Sequence, residues 1–216
     1  MKLFYYPGNA NLAPHMLLEE IGAPYELVLV DRESDQHHSE EYLTLNPSGR
    51  IPVLVDGDLV LYESAAICLH LVDSHPHLNL APPLGTSQRA NMYKWLMYLT
   101  NTLQPELLSY FYPERLCEDE LVAVQIKRRA EQRVAGMLAI LENALKEASS
   151  PGVQTYLLGS AYSVVDPFLF MLCRWTRFMD KPAKDYPHLS RYLSHLSDRS
   201  AIKLAFSMEG IEAPYY

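Results

Sequence analysis

Hydrophobic residues in the first third of the chain form short runs with the pattern of β-strands, separated by a longer stretch with a helical period. The pattern predicts a strand over residues 2–6, a helix that ends at Gly22, and a second strand over residues 26–31. A strand–helix–strand unit of this kind has parallel strands and a right-handed crossover.

Two further apolar runs, residues 52–55 and 59–62, flank an Asp-Gly-Asp segment. Because glycine accepts the positive φ angles of a tight turn, these runs predict a β-hairpin. A helix from Ser64 to about Val72 follows, and a proline-rich segment over residues 75–85 then interrupts the chain. This segment predicts a domain boundary.

Only helical periodicity remains after the boundary, and it predicts helices over residues 86–111, 118–148, 164–179, 187–197 and 199–208. The order of elements in the first half is that of the thioredoxin fold. We therefore predict an α/β thioredoxin-like domain over residues 1–78 and an all-α helical domain over residues 86–210. Within the second domain, Ser163 and Asp166 have the spacing of a helix capping box, in which each side chain covers a backbone amide.

The charge balance limits the partners that the protein can have. The chain has 18 Lys and Arg against 26 Asp and Glu, a formal net charge of −8, which disfavours nucleic acid. Its three cysteines are odd in number and widely spaced, so they indicate a reducing, cytoplasmic location without disulfides. The amino terminus reaches Pro7-Gly8-Asn9 too early for a signal peptide, and no apolar run is long enough to cross a membrane. We expect a soluble protein.

Ile51 and Pro52 stand at the start of the first hairpin strand. An X-Pro bond adopts the cis form at a cost of only about 0.5–1 kcal/mol relative to trans. A cis bond here would leave the backbone of Ile51 free to pair with an extended peptide ligand. The alternative is a proline that simply begins a strand.

Glu63 and Ser64 lie at the junction between the second hairpin strand and the next helix. The serine hydroxyl and the first helix amides suit a carboxylate, and Glu63 suits an ammonium group. Together they match the α-amino acid end of a γ-glutamyl group. The alternative is an ordinary serine cap preceded by a surface acid.

Residues 46–54 (Asn-Pro-Ser-Gly-Arg-Ile-Pro-Val-Leu), the hairpin, and residues 62–67 (Tyr-Glu-Ser-Ala-Ala-Ile) resemble the amino-terminal domain of cytosolic glutathione transferases. The capping segment and the helical layout are similar to the family's second domain, and the start of the chain is closest to bacterial beta-class members. The resemblance implies a homodimer with an apolar co-substrate pocket and with glutathione as co-substrate. It also implies glutathione contacts at Arg50, Ile51, Pro52, Glu63 and Ser64.

The sequence departs from the beta class at two positions. That class has a cysteine where this chain has Ala10 and a histidine where it has Gln104, so a mixed disulfide between protein and glutathione is excluded. The turn instead offers Asn9 and Asn11, and in this it resembles the bacterial nu class, whose polar turn residues approach the thiol. The nucleophile is then the thiol of bound glutathione.

Lowering the pKa of a thiol by two units from about 8.5 requires about 2.7 kcal/mol. A helix amino terminus supplies about 0.3–1 kcal/mol and a hydrogen bond to a charged group about 1.5–3 kcal/mol, so one asparagine amide is sufficient. Asn11 is the preferred donor and Asn9 the second candidate, with a helix cap and an ordinary turn residue as alternatives. Tyr5 is a third catalytic candidate, because other classes use a tyrosine hydroxyl there; its alternative is core packing.

No metal site is predicted, because the histidines have no recognisable ligand spacing; they are His37, His38, His70, His75 and His77. Two functions stay open. The first is an enzyme that conjugates glutathione to small hydrophobic electrophiles or uses it to reduce disulfides. The second is a catalytically weak glutathione-binding protein that acts through partner interactions.

Overall fold

The computed structural model describes residues 1–150 and 152–216, which fold into two compact units. The first unit comprises Met1–Ala81 and Ser197–Tyr215, and the second comprises Pro82–Leu196 with Tyr216. The predicted fold class is confirmed: the first unit is thioredoxin-like and the second is helical. The predicted boundaries placed the last helix in the second domain, whereas it belongs to the first compact unit.

The first unit is built on a four-stranded sheet with strand order β2-β1-β3-β4. These strands are β1 (Lys2–Tyr5), β2 (Glu26–Leu29), β3 (Val53–Asp56) and β4 (Leu59–Tyr62). β1 runs parallel to β2 and antiparallel to β3, so that Leu3 lies opposite both Leu27 and Leu54. β3 and β4 form the predicted hairpin, and Gly57 in its turn has a φ of 59°.

The helices of the described residues are α1 (Leu12–Ile21), α2 (Glu40–Leu45), α3 (Ser64–Ser74), α4 (Ser87–Tyr98), α5 (Gln104–Phe111), α6 (Glu120–Ala148), α7 (Val165–Trp175), α8 (Pro187–Ser197) and α9 (Ser200–Met208). In the first unit, α1 packs against both α3 and α9. As predicted, Gly22 ends α1 in the left-handed conformation, with its N–H donating to the carbonyl of Leu18 at 2.9 Å. None of the helices in this described part of the chain combines the length and apolarity needed to cross a bilayer.

The two faces of the sheet bury different groups, because successive side chains of a strand point to opposite faces. Leu3 and Leu54 are fully buried on one face. Phe4, on the other face, packs edge-on against Tyr42 of α2 with ring centroids 6.0 Å apart. Because β1 and β2 are parallel, their carboxyl-terminal ends lie at the same edge of the sheet. Side chains packed on both faces hold the sheet in place.

In the second unit, α4 and α5 are continuous through a π-helical segment, Leu99–Leu103. Pro105 follows this segment and has no N–H to donate to the preceding turn, which accounts for the local change in helical period. The predicted long helix over residues 86–111 is therefore one helical stretch with an internal irregularity.

The predicted capping box is half realised. Asp166 Oδ2 accepts the backbone N–H of Ser163 at 2.7 Å, as expected, but the Ser163 hydroxyl donates to the same carboxylate at 3.1 Å. The hydroxyl makes no capping bond to α7, so that part of the prediction is wrong. Asp166 also accepts hydrogen bonds from the backbone N–H of Leu157 at 3.0 Å and from the Tyr192 hydroxyl at 2.9 Å. A fully buried carboxylate requires such donors.

Candidate functional site

The turn between β1 and α1 is held by a carboxylate that follows α9. Glu209 accepts a hydrogen bond from the backbone N–H of Gly8 at 2.8 Å and one from Asn11 Nδ2 at 2.8 Å. Its Oε1 also lies 2.7 Å from His15 Nδ1. The Glu209 side chain has no solvent exposure, and these partners offset the cost of burying it. Sequence reasoning missed Glu209 because no local pattern connects residues so far apart.

Asn11 uses both ends of its side-chain amide within the protein. Nδ2 donates to Glu209, and Oδ1 accepts the backbone N–H of Tyr6 at 3.2 Å. The residue is fully buried, and although it occupies the N-cap position of α1, its side chain makes no capping hydrogen bond. The role of Asn11 as a donor to the thiol stays a prediction, while the observed bonds show that its side chain fixes the turn.

Asn9 is partly exposed in the same turn. Its Oδ1 accepts a hydrogen bond from Arg32 Nη1 at 2.9 Å, whereas its Nδ2 has only a long contact of 3.4 Å to the carbonyl of Pro7. The Arg32 guanidinium also lies over the ring of Tyr6, 5.8 Å from its centroid. Arg32 therefore orients Asn9 and brings a positive charge to the turn.

Sequence reasoning missed Arg32 as well. The residue comes shortly after β2, and β2 runs parallel to β1, so the segments that follow the two strands meet at one edge of the sheet. The available signal was a basic residue after the second strand of a strand–helix–strand unit.

Tyr5 is the last residue of β1, one residue before the predicted end of this strand, and is partly buried. Burial raises the pKa of its phenol, and the carboxylate of Glu209 raises the pKa further. The phenol therefore keeps its proton at neutral pH and can serve as a hydrogen-bond donor but not as a base.

Ala10, in the same turn, has no reactive side chain. Its backbone N–H finds no acceptor among the described residues. Cys68 is the one cysteine within the residues of the first unit; it is fully buried in α3, and burial raises the pKa of its thiol. No protein thiol of this unit is thus in a state to act as a nucleophile.

The loop before β3 is fixed through the carbonyl of Arg50. This carbonyl accepts hydrogen bonds from the Tyr42 hydroxyl at 2.8 Å and from Asn46 Nδ2 at 2.7 Å. The Ile51–Pro52 peptide bond is cis, which is one of the two forms that the sequence left open. Pro52 is buried, whereas the Arg50 side chain is exposed.

Glu63 and Ser64 form the junction between β4 and α3. Ser64 is the first residue of the helix and is 7% exposed, and Glu63 precedes it with a φ of 72° and an exposed side chain. The first N–H groups of a helix have no acceptor within it and attract anions. An exposed carboxylate beside them suits a ligand that carries both a carboxylate and an ammonium group.

Comparisons with known proteins agree with this arrangement. The model of the glutathione S-transferase N-terminal domain matches residues 1–73, and that of the C-terminal domain matches residues 124–195. Glutathione S-transferase GstA of Escherichia coli O157:H7 is 27% identical over 98% of this chain and 100% of its own length. Glutathione S-transferase 4 of Zea mays is 32% identical over 86% of this chain and 82% of its own length.

A solved structure of a sphingomonad glutathione S-transferase complexed with glutathione is 32% identical, with a TM-score of 0.83. The match covers 98% of this chain and 100% of that one. The chain therefore belongs to the glutathione S-transferase family. It is a glutathione-dependent transferase, with glutathione as its co-substrate.

Proposed function

We propose that this glutathione S-transferase uses the thiol of bound glutathione as its nucleophile and conjugates it to small hydrophobic electrophiles. One observation carries the proposal. The turn offers Ala10 where a reactive side chain would stand, and Cys68 is buried with a raised pKa. Both features support glutathione as the source of the thiol.

Glutathione lies across the first unit in this proposal. Its γ-glutamyl group binds at Glu63 and Ser64, where the ammonium meets an exposed carboxylate and the carboxylate meets the amino end of α3. Its peptide pairs with the backbone of Ile51 beside Pro52, and the exposed Arg50 supplies a positive charge for a carboxylate of the tripeptide.

The thiolate lies at the turn that precedes α1. We assign its stabilisation to the N–H of Ala10, to Nδ2 of Asn9 and to the protonated hydroxyl of Tyr5. One such hydrogen bond to a charged group is worth about 1.5–3 kcal/mol and the helix end about 0.3–1 kcal/mol. Their sum is enough to lower a thiol pKa by about two units. Asn11 then holds the turn in place, and its predicted donation to the thiol is the alternative assignment.

Disulfide reduction is a second candidate, since it uses the same thiolate. The thiolate attacks one sulfur of a disulfide, and the other sulfur leaves as a thiolate that takes a proton from water. A second glutathione thiolate then attacks the mixed disulfide, which gives glutathione disulfide and releases the remaining substrate sulfur as a second thiol. Ala10 in the turn and the burial of Cys68 favour this exchange between glutathione molecules over an intermediate linked to a cysteine of the first unit.

We also propose a cytoplasmic homodimer. The exposed apolar residues Leu59, Val60 and Tyr62 on the edge strand β4 support a second subunit, since such a strand is usually covered. Sedimentation equilibrium would measure the mass: a dimer supports this part of the proposal, and a monomer contradicts it.

The enzymatic proposal is tested by calorimetric titration with glutathione, followed by parallel assays with an aryl halide and with a small mixed disulfide. We expect binding, and turnover in at least one assay. Turnover of the aryl halide alone supports conjugation, and turnover of the disulfide alone supports reduction. Binding without either turnover would instead favour a glutathione-binding protein that acts through partner interactions.

A further inference from the structure

The segment that follows β2 and runs into the first turn of α2 is acidic and contains two adjacent histidines. Residues 31–41 (Asp-Arg-Glu-Ser-Asp-Gln-His-His-Ser-Glu-Glu) have five carboxylates and one guanidinium. Such a segment attracts cations. The question is whether its side chains form a defined set of ligands.

The fold brings three of these side chains together. One ligand atom from each of Asp35, His37 and His38 lies within 4.8 Å of the other two. Asp35 Oδ1 is 3.7 Å from His37 Nδ1 and 2.7 Å from His38 Nδ1. Ligand atoms around a tetrahedral zinc ion are about 3.4 Å apart, given bonds of about 2.0–2.2 Å. The distance from Asp35 to His37 is already close to this value. The His38 side chain is 55% exposed, so it can move away from Asp35 until its distance reaches the same value.

The backbone that carries these ligands is fixed on both sides. Gln36–His38 form a 3₁₀ turn, and Asp35 precedes it in the left-handed conformation with a φ of 60°. The N–H of Gln36 donates to the carbonyl of Asp31 at 2.9 Å, and the Gln36 side chain accepts the N–H of Asp31 at 2.8 Å. The His37 side chain is only 14% exposed, and its ring centroid lies 4.1 Å from that of His38. The backbone that carries the ligands is therefore preorganised, and the exposed side chains of Asp35 and His38 adjust to the ion.

We infer that Asp35, His37 and His38 bind one divalent transition-metal ion of the zinc type, with water completing the coordination. Two imidazole nitrogens and one carboxylate favour zinc, nickel or copper over magnesium and calcium, which prefer all-oxygen sites. The sequence predicted no metal site, because the histidines have no recognisable ligand spacing along the chain. The site is separate from the residues assigned to glutathione, although the His38 ring lies where a Cβ on Gly49 would approach it to 2.6 Å.

Calorimetric titration of the untagged full-length chain with zinc chloride, in buffer without glutathione, tests the inference. We expect one ion per chain with micromolar affinity. Asp35→Asn and His38→Asn should each weaken binding at least tenfold, because each removes one of three protein ligands. Both positions are exposed, so the variants should keep the parent circular dichroism spectrum. The matched control is His70→Asn, which removes an imidazole that pairs with Asp56 at 3.1 Å and should leave zinc affinity unchanged.

Several results would overturn the inference: no saturable binding at millimolar zinc, equal affinity in His38→Asn and the parent, or loss of binding in His70→Asn. Cobalt substitution gives an independent readout. The proposed ligands contain no sulfur, so the cobalt spectrum should lack a thiolate charge-transfer band. Such a band would place the ion at a cysteine and contradict the assignment.

Discussion

Asn11 Nδ2 donates a hydrogen bond of 2.8 Å to Oε1 of Glu209, a residue 198 positions further along the chain. Both side chains are buried, and the same carboxylate oxygen lies 2.7 Å from His15. The turn that precedes α1 thus depends on the segment after α9. The last helix, α9, packs against α1 and belongs to the same compact unit as the sheet.

Replacing Glu209 with Gln tests how far the turn depends on this carboxylate. The amide keeps the shape but replaces one acceptor oxygen by a donor, so Gly8 N–H or the Asn11–His15 pair loses its acceptor. We expect the free energy of unfolding to fall by about 2 kcal/mol or more, measured by urea denaturation. Glu212→Gln, at an exposed position nearby, should change it by less than about 0.5 kcal/mol. Equal stabilities of the two variants would contradict the assigned role of Glu209.

Alanine variants separate the roles of Asn9 and Asn11. Asn9→Ala should raise the pKa of the bound glutathione thiol by about one unit, because it removes the donor that Arg32 orients. Asn11→Ala should mainly destabilise the fold, by about 2 kcal/mol, since it leaves buried partners unpaired. Ultraviolet titration of the thiolate and urea denaturation measure the two effects. A higher thiol pKa in Asn11→Ala at unchanged stability would make Asn11 the donor after all.

Glu63→Gln removes the negative charge that we assign to the ammonium group of glutathione. We expect the dissociation constant of glutathione to rise about tenfold, which corresponds to about 1.4 kcal/mol, with kcat at saturating glutathione little changed. Glu41→Gln removes the same charge from another exposed position of the first unit and should leave affinity unchanged. Equal dissociation constants for Glu63→Gln and the parent would refute the pairing.

Asp166 gives a pH-dependent prediction. Burial raises the pKa of this carboxyl from 3.8 to about 6, although hydrogen bonds from Leu157 and Ser163 oppose the shift. Between these two values the folded state keeps a proton that the unfolded state has lost. The contribution of Asp166 to the free energy of unfolding is therefore full below about pH 4, and falls by up to about 3 kcal/mol as the pH rises to about 6.

The comparison with Asp166→Asn isolates this contribution, because asparagine does not titrate. The difference in unfolding free energy between parent and variant should fall between pH 4 and pH 6 and then stay constant. Urea denaturation at a series of pH values measures it. Parallel pH profiles for the two proteins would show that the carboxyl titrates at its ordinary pKa.

Local features of this protein could be predicted from its sequence, because neighbouring residues determine them. Hydrophobic alternation located the strands, and the left-handed Gly22 and the positive φ of Gly57 followed from glycine's freedom at a helix end and in a tight turn. Residues 46–54 and 62–67 indicated the family because each is a continuous motif that can be recognised from neighbouring residues.

The tertiary structure decided which side chains meet. From the sequence, Asn11 could be a thiol donor or a helix cap. In the structure, its side-chain amide is hydrogen-bonded to Glu209 and to the backbone N–H of Tyr6. Arg32 reached Asn9 because two parallel strands end at one edge of the sheet. A buried carboxylate such as Glu209 requires hydrogen-bond donors, and here they come from a distant segment of the chain. Sequence patterns within one element contain no information on such contacts.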